Sequence, residues 1–349
     1  MKYSKVYIEG FGYELAPNVV TTDDIEEKLK PFYDATNINP GQLYALTGIK
    51  ERRFWDIDHS ISIEAAKAGK KAISESGIDP DQIGALVFCG VCREGFEPAT
   101  SCSIADSLNI SKNAQVYDVS NACLGVMTGM IQVANEIELG NIKAGLVVSC
   151  ETSRQIVDST IDEINENKSI SFFKEAVATM TGGSGAIAIL LTDGSFSKNN
   201  ALHKIKGTTV KNSVQHHDLC SWNFLEKGMP VNSKIVMRTK AEKVLEHGTK
   251  LVVDTFNEFL NDFHMSSDEI DKFIGHQVGA IHHQSFYKAL GIDIKKDFPT
   301  FPFLGNIGTV SLPITAAIAD ERDFLNPGDF VCFIGVGSGL NCLIMGLEW

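Results

Sequence analysis

One cysteine lies where a predicted strand ends and a predicted helix begins. Residues 116–119 are strand-like, residues 120–122 are small, and Cys123 comes next, before a buried helical pattern over residues 125–134. A thiol at this position faces the positive end of the helix dipole, which lowers its pKa and makes it a better nucleophile. A buried core cysteine is the alternative, since that is the commonest fate of a lone cysteine. These residues alone leave both interpretations open.

The other seven of the eight cysteines lack this setting. Cys89 and Cys92 form a C-x-x-C, but no second pair with zinc spacing follows, and no helix opens between them as in a redox motif. Cys102 and Cys220 have no informative context. Cys89 and the remaining three lie in apolar, β-rich runs and are expected to be buried strand thiols, namely Cys89, Cys150, Cys332 and Cys342. We therefore expect no metal, no cofactor and a single nucleophile.

The chain contains an internal duplication. A helix, a strand and a second helix are predicted at residues 63–76, 85–89 and 101–108, and again at 241–263, 272–275 and 280–290. The offset is nearly constant, at 187 residues from Ile83 to Ile270 and 183 from Cys123 to Asn306. Such alternation predicts an α/β protein with largely parallel sheets covered by helices. We expect two similar α/β halves.

The boundary between the halves is predicted at residue 195, giving an N-terminal half over 1–195 and a C-terminal half over 196–349. His276 follows the predicted strand 272–275 of the second half, and Asn306 lies in a glycine-flanked turn equivalent to the Cys123 turn. Ligand sites in open α/β folds cluster at the carboxyl ends of strands. A thiolate, an imidazole and an amide at one such site are what nucleophilic acyl chemistry needs.

Composition excludes several other classes of function. The net charge of -13 makes a nucleic-acid surface unfavourable, and the only basic cluster is at residues 50–53. The first residues lack the apolar core of a signal peptide, and no apolar run has the length of a membrane span. We expect a cytoplasmic protein with no nucleic-acid partner and no membrane span.

Several motifs together resemble the thiolase superfamily, and within it the β-ketoacyl synthase III branch. They are Tyr-Asp-Val-Ser-Asn-Ala-Cys-Leu-Gly at 117–125, Gly-His-Gln at 275–277, Gly-Asn-Ile-Gly-Thr-Val-Ser at 305–311, Thr-Gly-Ile-Lys-Glu-Arg-Arg at 47–53 and the glycine-rich turn at 182–186. The resemblance implies a five-layered αβαβα thiolase fold and a homodimer. It also implies a Cys123-His276-Asn306 site that forms an acyl-thioester and then makes a carbon–carbon bond.

The resemblance further implies that a glycine-rich loop lines the site and lends a backbone N–H to the oxyanion hole. That loop consists of Gly335, Val336, Gly337, Ser338 and Gly339. It lacks the Lys-Ser/Thr of a P-loop, so a phosphate-binding role is not expected.

Departures from the chain-initiating synthases put the ordinary malonyl reaction in doubt. Gln42 and Leu46 occupy the positions of the Trp and Arg that grip coenzyme A in those enzymes, and Gly279 replaces an Asn. Glu97 precedes Pro98, which resembles the OleA family, whose members join two fatty acyl-CoA molecules head to head. In the superfamily this segment reaches across the dimer into the partner's acyl tunnel. A solvated surface glutamate is the alternative.

The chemistry explains why a glutamate is needed there. A malonyl donor forms its carbanion by losing carbon dioxide, whereas a plain acyl-CoA must lose an α-proton to a base. We therefore predict non-decarboxylative Claisen condensation of two long-chain acyl-CoAs to a 2-alkyl-3-oxoalkanoic acid, for hydrocarbon biosynthesis with possible downstream enzyme partners. The alternatives are a decarboxylative 3-oxoacyl synthase III that uses malonyl-ACP or malonyl-CoA, and a non-catalytic acyl-binding protein.

Two further features are assigned less specific roles. Adjacent histidines at 216–217 and 282–283 point about 100° apart in a helix, so solvated or interface positions are expected for them. Residues 158–175 form a long acidic and aromatic segment. It caps the acyl tunnel or the dimer, or is an insertion.

Overall fold

The computed structural model describes residues 1–197, 203–224 and 235–349. The strands are β1 (Tyr7–Leu15), β2 (Asn18–Thr21), β3 (Glu51–Phe54), β4 (Ala85–Cys89), β5 (Gln115–Val119), β6 (Ala144–Glu151), β7 (Gly185–Thr192), β8 (His203–Asn212), β9 (Cys220–Phe224), β10 (Ile235–Thr239), β11 (Lys272–Gly275), β12 (Phe330–Gly337) and β13 (Asn341–Glu348). The α-helices are α1 (Thr22–Lys28), α2 (Lys30–Thr36), α3 (Gln42–Thr47), α4 (Ile61–Ser76), α5 (Thr100–Ser107), α6 (Gly125–Leu139), α7 (Arg154–Asn167), α8 (Ile170–Ala176), α9 (Ala241–Phe263), α10 (Ala280–Leu290), α11 (Phe301–Leu304) and α12 (Ser311–Glu321). The duplicated helices and strands predicted for the two halves are confirmed, with ends that differ by two residues or fewer, whereas the helix predicted over residues 125–134 extends to Leu139.

The main sheet consists of two groups of strands with matching order. The first group runs β1-β7-β6-β4-β5, and the second runs β8-β13-β12-β11. They join where β1 pairs with β8 at Tyr7 and Ile8, so that the described residues form one nine-stranded sheet. Asp297 adds a parallel bridge to Phe273 beyond β11, in the place that β5 has beside β4. The predicted boundary at residue 195 falls between β7 and β8, and the division into two halves there stays a prediction.

The prediction of largely parallel sheets is wrong. Strand β4 pairs in parallel with β5 and β6, and β11 pairs in parallel with β12. The pairs β1-β7, β1-β8, β6-β7, β12-β13 and β8-β13 are antiparallel. Helices cover both faces of this mixed sheet, so its strands are apolar on both faces, as they are in a parallel sheet. The burial pattern of a strand therefore does not reveal its direction.

Helices α6 and α12 lie between the two groups of strands. Their buried side chains share one core cluster with strands of both groups, as Met130, Ile314, Ile189 and Phe333 illustrate. Helices α4 and α5 cover the outer face of the first group, and α9 and α10 cover that of the second. The predicted five-layered αβαβα arrangement is confirmed.

A smaller cap of helices lies over one end of the first half. Its core combines residues of α1, α2, α3, α7 and α8. Phe32 of α2 stacks on Phe173 of α8 with ring centroids 4.9 Å apart. The segment 158–175 therefore belongs to this cap through most of α7 and α8. Across the three described ranges, no helix is long and apolar enough to cross a membrane.

Substitution of Gly12 tests the packing of α4 on β1. A Cβ at Gly12 would meet the carbonyl oxygen of Ala68 and lie 2.5 Å from the backbone nitrogen of Ala72. We expect Gly12→Ala to lower the free energy of unfolding by about 1–3 kcal/mol, the usual cost of overpacking a core. Gly95 has nothing within 4 Å of such a Cβ, so Gly95→Ala should stay within about 0.5 kcal/mol of the parent. Urea denaturation measures the free energy of unfolding of both variants, and equal free energies for the two would contradict this packing.

Candidate active site

Cys123 lies in a tight turn between β5 and α6. Ala122 before it has a φ of 45°, in the left-handed region that few non-glycine residues adopt and that is enriched at functional sites. The side chain of Asn121 donates to Oγ1 of Thr128 at 2.9 Å and accepts from Nδ2 of Asn341 at 3.1 Å. Contacts from α6 and β13 thus hold the strained turn.

The end of β12 lies directly against the Cys123 turn. A Cβ at Gly337 would be 3.4 Å from the backbone nitrogen and 3.5 Å from the Cβ of Cys123, and one at Gly335 would be 2.5 Å from Leu124. Glycine at these positions permits the close approach. The prediction of a loop over 335–339 is wrong in part, because Gly335–Gly337 are strand residues paired with β13, and only Ser338 and Gly339 lie in the hairpin turn. Glycine is depleted in strands, which concealed this strand end in the sequence.

His276 directly follows β11 and is held beside β12. Its backbone N–H donates to the carbonyl of Ile334 at 2.9 Å. The next residue, Gln277, is buried and donates to the carbonyl of Gly275 at 2.7 Å. Its Oε1 also accepts from the backbone N–H groups of Thr300 and Phe301 at 2.9 and 3.1 Å. Gln277 therefore fixes the turn that presents His276.

The imidazole of His276 is uncharged near neutral pH. Burial, with a smaller contribution from His282, lowers the pKa of His276 to about 4. Within the described ranges, its Nδ1 is buried without a hydrogen-bond partner. A neutral imidazole both donates and accepts a hydrogen bond, which suits it to a substrate oxygen.

The second histidine pair is largely buried rather than solvated, and the interface position expected as the alternative stays a prediction. His283 forms a hydrogen bond from Nε2 to Oδ2 of Asp297 at 2.6 Å, and the Asp297 side chain is fully buried. Asp297 also accepts from the backbone N–H of Gly275 at 3.1 Å. Burial lowers the pKa of His282. Both histidines lie at the start of α10, which packs behind the His276 turn, and no residue spacing revealed that packing.

Asn306 lies in a turn that hydrogen bonds hold both internally and to helix α6. Its Oδ1 accepts from the N–H of Gly308 at 3.0 Å, and among the described residues its Nδ2 is left as the free donor of the amide group. Oγ1 of Thr309 accepts from the backbone N–H of Val126 at 2.7 Å, so this turn is bonded to the first turn of α6. The structure thus brings the turns that carry Cys123, His276 and Asn306 together around α6 and the end of β12.

Glu97 does not lie with these three residues within one chain. It belongs to an exposed segment, residues 93–98, in which Phe96 is 80% exposed. After the segment, the carboxylate of Asp118 accepts from the N–H groups of Thr100 and Ser101 at 2.9 and 3.0 Å. The start of α5 is therefore fixed, and the segment before it projects from the chain.

Glu151, the last residue of β6, is a buried acid that the sequence interpretation missed. It is only 4% exposed, and its carboxylate accepts from the N–H groups of Val91 and Cys92 at 2.9 and 3.2 Å. Burial outweighs these bonds and raises the pKa of Glu151 to about 7. A charged residue at the carboxyl end of a predominantly apolar strand was the available signal, because ligand sites lie at such ends.

The expectation of a lowered pKa for Cys123 is wrong. Burial, with smaller contributions from the Cys220 thiol and the Glu151 carboxylate, raises the pKa of Cys123 to about 12. The sequence revealed the helix end that favours a thiolate, but not the surroundings that oppose it. By contrast, the prediction that Cys89, Cys150, Cys332 and Cys342 are buried strand thiols is confirmed.

A large cleft adjoins this region. It has a volume of about 1300 Å³ and reaches Val91 and Cys92, whose N–H groups hold Glu151. One wall comes from α7, so the segment 158–175 borders the cleft. Its apolar lining includes Ile61, Phe96, Ile156, Trp222 and Phe224. A cleft of this size and lining is suited to a long apolar ligand.

Comparison with known proteins identifies the family. Residues 117–206 match the 3-oxoacyl-(acyl-carrier-protein) synthase III family, and residues 260–349 match the C-terminal region of the same family. An acyl-CoA:acyl-CoA alkyltransferase of Shewanella oneidensis is 49% identical over 100% of both chains. A beta-ketoacyl-(acyl-carrier-protein) synthase III of Clostridium tetani is 25% identical, again over 100% of both chains.

The comparison with solved structures agrees. A crystal structure of a Cys-to-Ser variant of Xanthomonas campestris OleA with bound lauric acid and lauroyl-CoA matches with a TM-score of 0.92 and 31% identity, over 99% of this chain and 100% of that one. The fold and the cysteine turn define a condensing enzyme of the thiolase superfamily, of the synthase III type. Within that class, the chain belongs to the acyl-CoA:acyl-CoA alkyltransferase family that includes OleA. The resemblance noted in the motifs is confirmed.

The raised pKa of Glu151 predicts a pH-dependent cost in stability. Its ordinary pKa of 4.5 rises to about 7 on folding, so the folded state binds a proton that the unfolded state loses. The bound proton makes its full contribution to the free energy of unfolding below pH 4.5, and this contribution is lost as the pH rises through 7. At 1.36 kcal/mol per pKa unit, the loss is about 3 kcal/mol. Glu151→Gln should lack this loss. Urea denaturation of parent and variant at pH 4.5 and pH 8 measures how much the free energy of unfolding changes with pH in each. An equal change in the two proteins would refute the prediction.

Proposed function

We propose that this enzyme condenses two fatty acyl-CoA molecules head to head, without decarboxylation, through an acyl-thioester on Cys123. The Cys123 turn, held against β12 beside His276 and Asn306, is the observation that carries the proposal. Full-length identity of 49% to an acyl-CoA:acyl-CoA alkyltransferase supports the choice of substrates. The product is a 2-alkyl-3-oxoalkanoic acid.

The first step loads the nucleophile. The sulfur of Cys123 attacks the carbonyl carbon of one acyl-CoA, the carbon–sulfur bond to CoA breaks, and the cysteine proton leaves with the CoA thiol. The amino terminus of α6 stabilises negative charge on the attacking sulfur, while burial keeps the resting thiol protonated. The enzyme therefore forms its thiolate only in the course of attack.

The second step makes the carbon–carbon bond. Glu97 of one chain removes the α-proton of a second acyl-CoA bound in the partner's site, and neutral His276 and Nδ2 of Asn306 bind the enolate oxygen. The enolate carbon attacks the Cys123 thioester, the bond to Cys123 breaks, and the released sulfur takes up the proton that Glu97 removed. Water then cleaves the remaining thioester, so two acyl-CoA molecules and one water give one β-keto acid and two CoA.

This reaction requires a homodimer. Glu97 projects from its own chain in an exposed segment, and the large aromatic Phe96 beside it is typical of an interface. The cleft of about 1300 Å³ gives the acyl chains an apolar environment. We place the enzyme in the cytoplasm, where it passes its β-keto acid to later enzymes of hydrocarbon synthesis.

Purified enzyme supplied only with a long-chain acyl-CoA tests the proposal. We expect one acyl group per chain by intact-mass spectrometry and release of free CoA without any malonyl compound. Cys123→Ala should show neither, because Cys123 is the cysteine whose turn lies against β12 beside His276 and Asn306. Retention of the adduct in Cys123→Ala would overturn the assignment of the nucleophile. Turnover that appears only after malonyl-CoA or malonyl-ACP is added would instead support a decarboxylative synthase III.

Complementation between chains tests Glu97. We expect Glu97→Gln to acylate Cys123 but not to condense, because an amide of the same shape cannot accept the α-proton. In a heterodimer of Cys123→Ala and Glu97→Gln chains, one site has an intact Cys123 and receives an intact Glu97 from its partner. The mixture should therefore recover activity that neither variant has alone. A normal condensation rate in Glu97→Gln, or no recovery in the mixture, would exclude this role.

A further inference from the structure

Glu151 lies between two parts of the proposed site without belonging to either. Its carboxylate is buried at the end of β6, and neither the loading of Cys123 nor the removal of the α-proton uses it. Because burial of a carboxylate lowers stability unless its charge is compensated, its place there calls for a physical reason.

One face of the carboxylate holds the base of the projecting segment. Its two oxygens accept from successive backbone N–H groups, those of Val91 at 2.9 Å and Cys92 at 3.2 Å. The exposed segment 93–98 begins at the next residue and carries Glu97. The position from which this segment leaves the chain is therefore set by hydrogen bonds to Glu151.

The other face contacts the turn that carries Asn306. A Cβ at Gly308 would lie 3.5 Å from Cδ and 3.7 Å from Oε1 of Glu151, and Gly308 has a φ of 58°, so the backbone of Gly308 packs on the carboxylate. The N–H of Gly308 donates to Oδ1 of Asn306 at 3.0 Å, which orients the amide of Asn306. A shift of Glu151 would be transmitted to the Asn306 amide through this one residue.

No cation neutralises Glu151 among the residues whose positions are described. The ion pairs there do not include it, and the titratable groups facing it are the thiols of Cys92, Cys123 and Cys150. Each of these thiols has a raised pKa and is uncharged near neutral pH. The hydrogen bonds of Glu151 therefore depend on its own ionisation, since only the carboxylate accepts freely with both oxygens.

We propose that Glu151 is a positioning residue for the condensation step. It holds the base of the segment that delivers Glu97 to the partner's site, and it seats the turn that orients Asn306 in its own site. This inference rests on the proposed function for its kinetic consequence, whereas the two contacts stand on the geometry alone.

Glu151→Gln tests the kinetic consequence. The amide keeps the shape but accepts with one oxygen only, and its NH2 faces one of the two backbone N–H groups. With enzyme acylated beforehand, we expect condensation at pH 8 to fall about tenfold or more, since small displacements of reacting groups are costly. Acylation of Cys123 should not be slower than in the parent, since the Glu151 carboxylate contributes to the raised pKa of Cys123 and its removal favours the thiolate. Exposed Glu258 of α9, which lies outside this contact and does not line the cleft, supplies the matched control, and Glu258→Gln should match the parent in both steps.

A pH profile separates positioning from a general loss of structure. The amide resembles the protonated carboxyl, so the advantage of the parent over Glu151→Gln should shrink as pH falls below 7. Gly308→Ala disturbs the same contact from the other side and should also slow condensation more than acylation. If Glu151→Gln does not fold, Glu151→Asp, which keeps the carboxylate but shortens the side chain, decides the kinetic question and should also slow condensation.

Hydrogen–deuterium exchange of the backbone tests the two contacts independently of activity. In Glu151→Gln we expect faster exchange at residues 91–99 and 305–311 than in the parent, with no change in α9. Unchanged exchange in both segments, or normal condensation in Glu151→Gln and Gly308→Ala, would overturn the inference. If the parent requires a malonyl donor, the proposed function fails, but the exchange comparison still decides whether Glu151 positions both segments.

Discussion

The burial of α6 between the two groups of strands is the constraint on which the site depends. Because α6 packs against strands of both groups, the turn before it cannot move without disturbing the largest core cluster. That turn carries Cys123, and the glycines of β12 let the second group of strands approach it directly. The turn of Cys123 therefore follows a strand of the first group, while the surface packed against it comes from the second group.

Burial also sets the charge state of the site. It raises the pKa of the Cys123 thiol, lowers the pKa of the His276 imidazole and raises the pKa of the Glu151 carboxyl. The first two groups are thus uncharged at rest, which suits chemistry on apolar acyl chains and leaves charge to develop only in the transition state. Glu151 differs, because its pKa of about 7 allows it to ionise near neutral pH at a cost in stability.

Glu97 differs from the other proposed site residues because it lies on an exposed segment of its own chain. Its segment is exposed from residue 93 to residue 98, whereas both ends are fixed, at Glu151 on one side and at Asp118 on the other. Fixed ends and an exposed middle are the arrangement expected of an element that is completed by a second chain.

The sequence by itself determined the helices and strands, their duplication and the three turns of Cys123, His276 and Asn306. Apolar periodicity and turn residues are local signals, and ligand-binding turns follow the ends of core strands. Glu97 came from resemblance together with the chemical need for a base. The exposure of its segment is compatible with that interpretation, but within one chain it does not establish the role.

Only the tertiary structure decided the direction of the strands, the extension of β12 through Gly337, the raised pKa of Cys123 and the place of Glu151. Each of these depends on residues far apart in the chain. Strand direction reflects which neighbours pair, and a pKa reflects how much water the whole fold excludes from one group. No local pattern carries that information, because it arises only when distant segments pack together.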